Sequence, residues 1–318
     1  RGSKVFDQLE SFRNNAFYFQ QSYLLNNKIN VIWGSRWDND KIESLDYYIS
    51  DGLGSGFTSL NNTSPFAGLT YLLNKSISIY TNYSNHYETP TLNELSNDPD
   101  SQSVGGFNPK LNPQISNSFE IGSKGYVNNY FYFDIALFRS KIDNEITSFE
   151  LEESPGKTFY RNIGESQKEG IEMSLSSNIG NNTTLNLGYT LSKFEYANYM
   201  KNNKNLNGNR LPGIPQNTFN SDIYYVNPNG YFIMAGLTRY GIIYLNDLND
   251  HEIDPYSIVN LRVGSEYKLF GSKLKVHIGA NNLLNANYFS NLRVNAWGGR
   301  FYEPAPQANI YMGTEVIF

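Results

Sequence analysis

Apolar residues recur at every second position along much of this chain, in short runs separated by turn-forming residues, and that period belongs to strands rather than helices. In the stretch Lys28 to Asp38, Ile29, Val31, Trp33 and Trp37 share one face while Asn30, Gly34, Arg36 and Asp38 share the other. Phe131, Phe133, Ile135 and Leu137 alternate with Tyr132, Asp134, Ala136 and Phe138. Leu185, Leu187, Tyr189 and Leu191 alternate with Asn186, Gly188, Thr190 and Ser192, and Leu274, Val276, Ile278 and Ala280 with Lys275, His277, Gly279 and Asn281. At the carboxy-terminal end Ile310, Met312, Thr314 and Val316 alternate with Tyr311, Gly313, Glu315 and Ile317. Each segment reads as a strand with one greasy and one polar face.

Thirteen such strands are expected, and the connections between them alternate in length. Asn26-Asn27, Asn74-Lys75, Gly180-Asn181-Asn182, Asn227 to Gly230 and Phe270-Gly271-Ser272 are short turns. The intervening connections are long and polar, the first expected from Asn39 to about Ser64. Outer-membrane barrels place short turns at the periplasmic end and long loops outside. The pattern therefore predicts an all-β fold, an antiparallel transmembrane β-barrel of which this chain forms part. A soluble all-β module has no reason to collect its long loops at one end, but it remains the alternative.

Composition moves the balance further. The 318 residues carry a net charge of −5, no cysteine and a mean hydropathy of −0.50, and no stretch is long and apolar enough for a membrane helix. Aromatic residues make up 15%, with 25 Tyr and 20 Phe, and tyrosine is the amphipathic residue that settles where a bilayer meets water. The chain opens RGSKVFDQLESFRNNAF, with neither an apolar signal core nor a small-residue cleavage site. An odd number of strands, the first running from the long-loop side to a short turn, implies missing strands upstream. Residues 1–13 are then expected to be the remnant of an extracellular loop.

Six phrases, in order, resemble the barrels of TonB-dependent outer-membrane receptors. They are SPFAGLTYLL with SISIYTNYSNHYETPTLNEL, FNPKLNPQISNSFEIGSKG, RNIGESQKEGIEMSL, NRLPGIPQNTFN, IGANNLLNANYFS and GRFYEPAPQANIYMGTEVIF. Gln114 stands where the pattern usually has Glu, and Leu284-Asn285 where it has Phe-Asp. The resemblance implies a 22-stranded barrel, with this chain as strands ten to 22 and no plug domain. It also implies import of a scarce nutrient, most often a ferric siderophore or similar iron chelate. The energy would come from the TonB-ExbB-ExbD complex acting through the plug. The other implied partners are outer-membrane lipid and the barrel assembly machinery, which would read Met312, Val316 and the terminal Phe318. A passive porin-like channel of about 14 strands is the competing transport reading.

Candidate chemistry is thin. His86, His251 and His277 are too scattered for a metal site, Asp38 with Asp40 and Glu152 with Glu153 read as solvated loop charge, and no nucleophile or phosphate-loop pattern is present. No enzyme, no covalently bound cofactor and no nucleic-acid partner is expected. Ligand contacts are expected instead from Arg and aromatic groups near the extracellular mouth, which suit anionic or catecholate chelates through charge-assisted hydrogen bonds and stacking. The candidates are Arg36, His86, Tyr87, Arg210, Arg239, Tyr240, Arg293, Trp297 and Arg300.

Overall fold

Each strand finds its partner in the next strand of the sequence, because a tight turn at one end and a long loop at the other leave antiparallel neighbours side by side. The structure, a computed structural model, describes residues 4, 7–51, 54–100, 106–128, 130–269 and 271–317. Its single large sheet has thirteen strands in strict chain order. These are β1 (Gln8–Asn26), β2 (Ile29–Asp46), β3 (Gly56–Leu72), β4 (Ile77–Glu88), β5 (Gln114–Val127), β6 (Phe131–Asp143) and β7 (Glu165–Ile179). They continue as β8 (Thr183–Asn198), β9 (Asn217–Val226), β10 (Tyr231–Tyr240), β11 (Tyr256–Leu269), β12 (Ser272–Asn281) and β13 (Asn309–Ile317). Both the expected count and the alternation of short and long connections hold.

The two faces differ as the period predicts. Phe17, Trp33, Leu137, Ile278, Ile310 and Met312 stand exposed on one face, Met312 at 79%. Apolar surface left in water costs roughly 25 cal/mol per Å², so this row requires lipid. On the other face Lys168 pairs with Glu145 at 2.9 Å, and Arg262 Nε donates to the Tyr311 hydroxyl at 3.3 Å. Aromatic rings there lie over glycines directly opposite them on the neighbouring strand: Phe66 over Gly34, Tyr80 over Gly122, Phe138 over Gly170, Phe232 over Gly264 and Tyr311 over Gly279. A Cβ at Gly34 would fall 2.7 Å from the Phe66 ring. The missing side chain gives each ring a flat bed across the sheet, and the ring in turn covers exposed backbone.

Three expectations are corrected. The connection expected at Asn39 to Ser64 shrinks to 47–55, because β2 runs on to Asp46 and β3 begins at Gly56. Residues 8–13, expected in a loop remnant, belong to β1, with Arg13 opposite Lys41 and Gln8 opposite Asp46. Above the apolar core of the bilayer neither face of this hairpin meets acyl chains, so the apolar alternation disappears while the hydrogen-bond ladder continues. Asp38 and Asp40 are accordingly not loop charge; they sit on the luminal face of β2, 7% and 3% exposed.

The pairing of β3 with β4 stops at Phe66–Ser84, one residue short of Pro65, which has no N–H to extend the ladder. Part of the β4–β5 connection folds back over the luminal face beside the gap. Its one-turn helix α1 (Leu92–Leu95) starts at Thr91, whose side chain accepts from Glu94 N while Thr91 N donates to the Glu94 carboxylate at 2.7 Å. Leu95, Phe107 and Leu111 then bury Ile42 of β2.

Candidate ligand-facing site

At the end of the sheet that carries the long loops, two apolar clusters turn those loops into structure. Ile163, Tyr196, Tyr199, Leu206 and Leu211 form one, and Ile243, Leu245, Ile253, Ala296 and Phe301 the other. Small hairpins stiffen the same loops, Ile146–Leu151 with Ser154–Asn162 and Phe289–Leu292 with Tyr302–Pro304.

Between the clusters lies Asp247, whose side chain has no exposed surface. Its carboxylate accepts from the hydroxyls of Tyr196 at 2.7 Å and Tyr199 at 3.3 Å, from Lys201 Nζ at 2.9 Å and from Asn295 Nδ2 at 2.7 Å. Arg161 stands 3.9 Å away. The main chain of the same residue donates to Asn295 Oδ1 and accepts from Asn209 Nδ2. A buried charge is tolerable when paired and saturated with donors, and this one has both. One carboxylate thus gathers the β6–β7, β8–β9, β10–β11 and β12–β13 loops. Burial, reinforced by the charge of Asp247, pushes the Tyr199 phenol up from its ordinary value, with Arg161 acting the other way.

A second carboxylate does similar work elsewhere in these loops. Glu150, on the β6–β7 hairpin, accepts from Arg300 NH2 at 3.1 Å, from Trp297 N at 3.3 Å and from Gly156 N at 3.3 Å. Arg161 lies 4.5 Å from the Phe149 ring centroid, within cation–π range.

The expected ligand residues divide into groups. Arg36, His86 and Tyr87 come together, lining a luminal cavity of about 350 Å³ with Phe12, Asn14, Asp38, Asp40, Ser64, Asn85 and Thr89. Arg36 makes a forked contact with Asp38 at 2.8–2.9 Å, and Ser84 Oγ meets His86 Nε2 at 2.8 Å. The Tyr87 hydroxyl is buried there beside the Asp40 carboxylate. Neighbouring strand residues normally face opposite ways; His86 and Tyr87 reach one cavity because β4 has parted from β3 above Phe66.

The rest are dispersed and mostly engaged. Arg210 reaches the Ser192 carbonyl at 3.2 Å and Glu195 at 3.6 Å, Arg293 meets Glu303 at 3.3 Å, and Arg300 is held by Glu150. Trp297 stays exposed beside that last pair. Tyr240 is luminal, its ring 5.1 Å from Tyr256, which stacks in turn on Tyr288 at 6.2 Å. Arg239, its neighbour, lies opposite Phe219 and Ser257 on the lipid-side face and, among the described residues, donates only to Ser257 Oγ at 3.2 Å. It does not point into the mouth. His277 faces the lumen edge-on to Tyr311, and no group of three metal-ligating side chains exists among the described residues. The sequence carries no local signature for Asp247, in a polar loop, or for Glu150 and Arg161, on the paired strands of the 146–162 hairpin.

A family of known proteins, TonB dependent receptor-like, beta-barrel, matches residues 2–283. The chain belongs to that family. Being a TonB-dependent receptor barrel, it is an outer-membrane β-barrel, which removes the soluble alternative. Its sequence is 26% identical over 288 residues to the probable TonB-dependent siderophore receptor PiuA of Acinetobacter baumannii, covering 84% of this chain and 37% of that protein. It is also 26% identical over 280 residues to the ferrioxamine B receptor of Salmonella typhimurium, covering 85% and 36%. The crystal structure of PiuA superposes with a TM-score of 0.78 at 20% identity, over 98% of this chain and 44% of that one. Unliganded ferric citrate transporter FecA gives 0.78 at 16% identity, over 100% and 47%. The receptor barrel described here thus spans a little over a third of the length of its curated relatives.

Proposed function

We propose that this chain is the outer wall and part of the extracellular mouth of a receptor that binds a ferric siderophore or similar iron chelate and imports it. The observation that carries the reading is the organised mouth. Four loops are fixed around Asp247 before any ligand arrives, so a ligand would not have to order them. The names of the curated relatives, a siderophore receptor and a ferrioxamine B receptor, support the substrate class.

On this reading Arg36, His86 and Tyr87 form one ligand-facing wall. Trp297 and Arg300 form the outer lip. Binding is the chain's task, and catalysis is not part of it. Transport would be energised by the TonB-ExbB-ExbD complex acting on a plug, and assembly would use the strand that bears Met312 and Val316 and ends at Phe318, the last outside the described residues. Met312 and Val316 do stand in the lipid-side row.

Uptake of radioiron presented on a panel of hydroxamate, catecholate and citrate chelates tests this, comparing cells with and without the full gene. At least one chelate should depend on the gene, and that uptake should stop when the proton gradient is collapsed. Gene-dependent passage that persists without the gradient would make the barrel a passive pore and overturn the proposal.

A further inference from the structure

The lipid-side row of β2 climbs through Ile29, Val31, Trp33, Ser35, Trp37 and Asn39 to Lys41, and β1 brings Phe19, Phe17, Asn15 and Arg13 alongside it in register. Trp33 and Trp37 are each 45% exposed, and Trp33 meets Phe19 edge-on at 5.2 Å. This is an aromatic girdle with two cations above it. At about 3.3 Å per residue and a tilt of about 45°, Lys41 lies roughly 28 Å above the start of β2, against an apolar band about 25 Å tall. Arg13 and Lys41 therefore stand at the height of lipid phosphates in the outer leaflet.

Nothing among the described residues explains their arrangement. The two are direct cross-strand partners, and like charges so placed repel. Three outward basic groups elsewhere are matched by carboxylates, Arg139 by Glu169 at 3.2 Å, Lys141 by Glu165 at 2.8 Å and Lys193 by Glu195 at 3.4 Å, and Arg239 reaches a hydroxyl, Ser257 Oγ, at 3.2 Å. Among the described residues neither Arg13 nor Lys41 has an ion-pair or side-chain hydrogen-bond partner. The next outward residue of β2, Glu43, accepts from Ser11 Oγ at 3.5 Å instead.

We propose that Arg13 and Lys41 form a binding site for the phosphate of an outer-leaflet lipid. The guanidinium offers paired N–H donors and the ammonium a third direction of approach, while the acyl chains run down past Trp37 and Trp33. An anion between the two cations turns their repulsion into attraction for a shared partner. The site depends only on where the barrel sits in the membrane, so it stands whichever nutrient the receptor imports.

The test uses the full-length receptor in nanodiscs, with diphosphoryl lipid A as probe, and counts retained lipid by native mass spectrometry. Wild type should retain the lipid, and R13Q/K41Q should lose roughly tenfold in affinity, the order expected for removing charge-assisted contacts. The charge-preserving R13K/K41R should retain most of it. Lipid A stripped of phosphate should bind wild type no better than the double variant. Equal retention by wild type and R13Q/K41Q would overturn the site. Displacement by inorganic phosphate alone at equal concentration would also overturn it, since the ligand would then be a free ion. Heat-modifiable gel mobility checks folding; if the double variant lacks it, R13Q and K41Q singly carry the same comparison.

Discussion

The hydroxyl of Tyr196 donates to Oδ1 of Asp247 at 2.7 Å across 51 residues of chain, and both groups are buried. The bond joins the top of a barrel strand to a loop two strands further on. Lys201 completes the charge balance at 2.9 Å. Asp247→Ala leaves that ammonium and two phenols facing an empty space. Breaking a buried pair from one side costs about 3–5 kcal/mol. The barrel should survive the change while its loops do not: limited proteolysis should cut the 199–216 and 241–255 loops in the variant and spare the wild type. Equal protection would show that the apolar clusters alone hold the loops.

Alkali should act on the same place. The Tyr199 phenol is held above its ordinary value, so between the two values the unfolded chain loses a proton that the folded loop keeps. Folded stability therefore falls as pH rises past about 10, the ordinary tyrosine value. Loop protection against protease should decline above that pH, and in Tyr199→Phe a smaller part of the decline should remain. Tyrosinate absorbance of the folded receptor should show phenols that titrate late.

Glu150 ties the 146–162 hairpin to the last loop through Arg300 and Trp297 N. Glu150→Gln removes the charge and keeps the shape. A hydrogen bond to a charged group contributes about 1.5–3 kcal/mol. Spin labels at the hairpin tip and on the 282–308 loop should therefore show a broader distance distribution in the variant. An unchanged distribution would assign the junction to packing.

Replacing Gly34 by Val should strain the wall, because the new side chain meets the Phe19 carbonyl oxygen and, next to it, the Phe66 ring. Overpacking of this kind costs about 1–3 kcal/mol. The loss of heat-modifiable mobility should occur at lower temperature in Gly34→Val, and Phe66→Ala in the same background should recover part of the difference.

Strand identity was legible because lipid on one side and lumen on the other impose opposite chemistry on alternate residues. Where β1, β2 and β3 rise above the apolar core of the bilayer that contrast ends, and Asn39 to Ser64 reads as loop although most of it is paired. Residue parity itself was informative: Arg239 and Tyr240 are adjacent on one strand, so only one of them could face the lumen. The sequence could not locate Asp247, which lies among Asn246, Asn249 and Asp250 with nothing to set it apart. Its burial arises from loops that meet in space after long intervals of chain, and no local period records that. The gap above Pro65 was equally hidden, and with it the meeting of Arg36, His86 and Tyr87.

Sharing one carboxylate among four loops also constrains how such a mouth can be changed. A donor loop grafted singly from another receptor would arrive without its part of the junction, stranding Asp247 or one of its partners. Exchange of specificity between barrels of this kind is then expected to succeed when the four loops travel together, and to fail by misfolding rather than by altered binding when they are swapped one at a time.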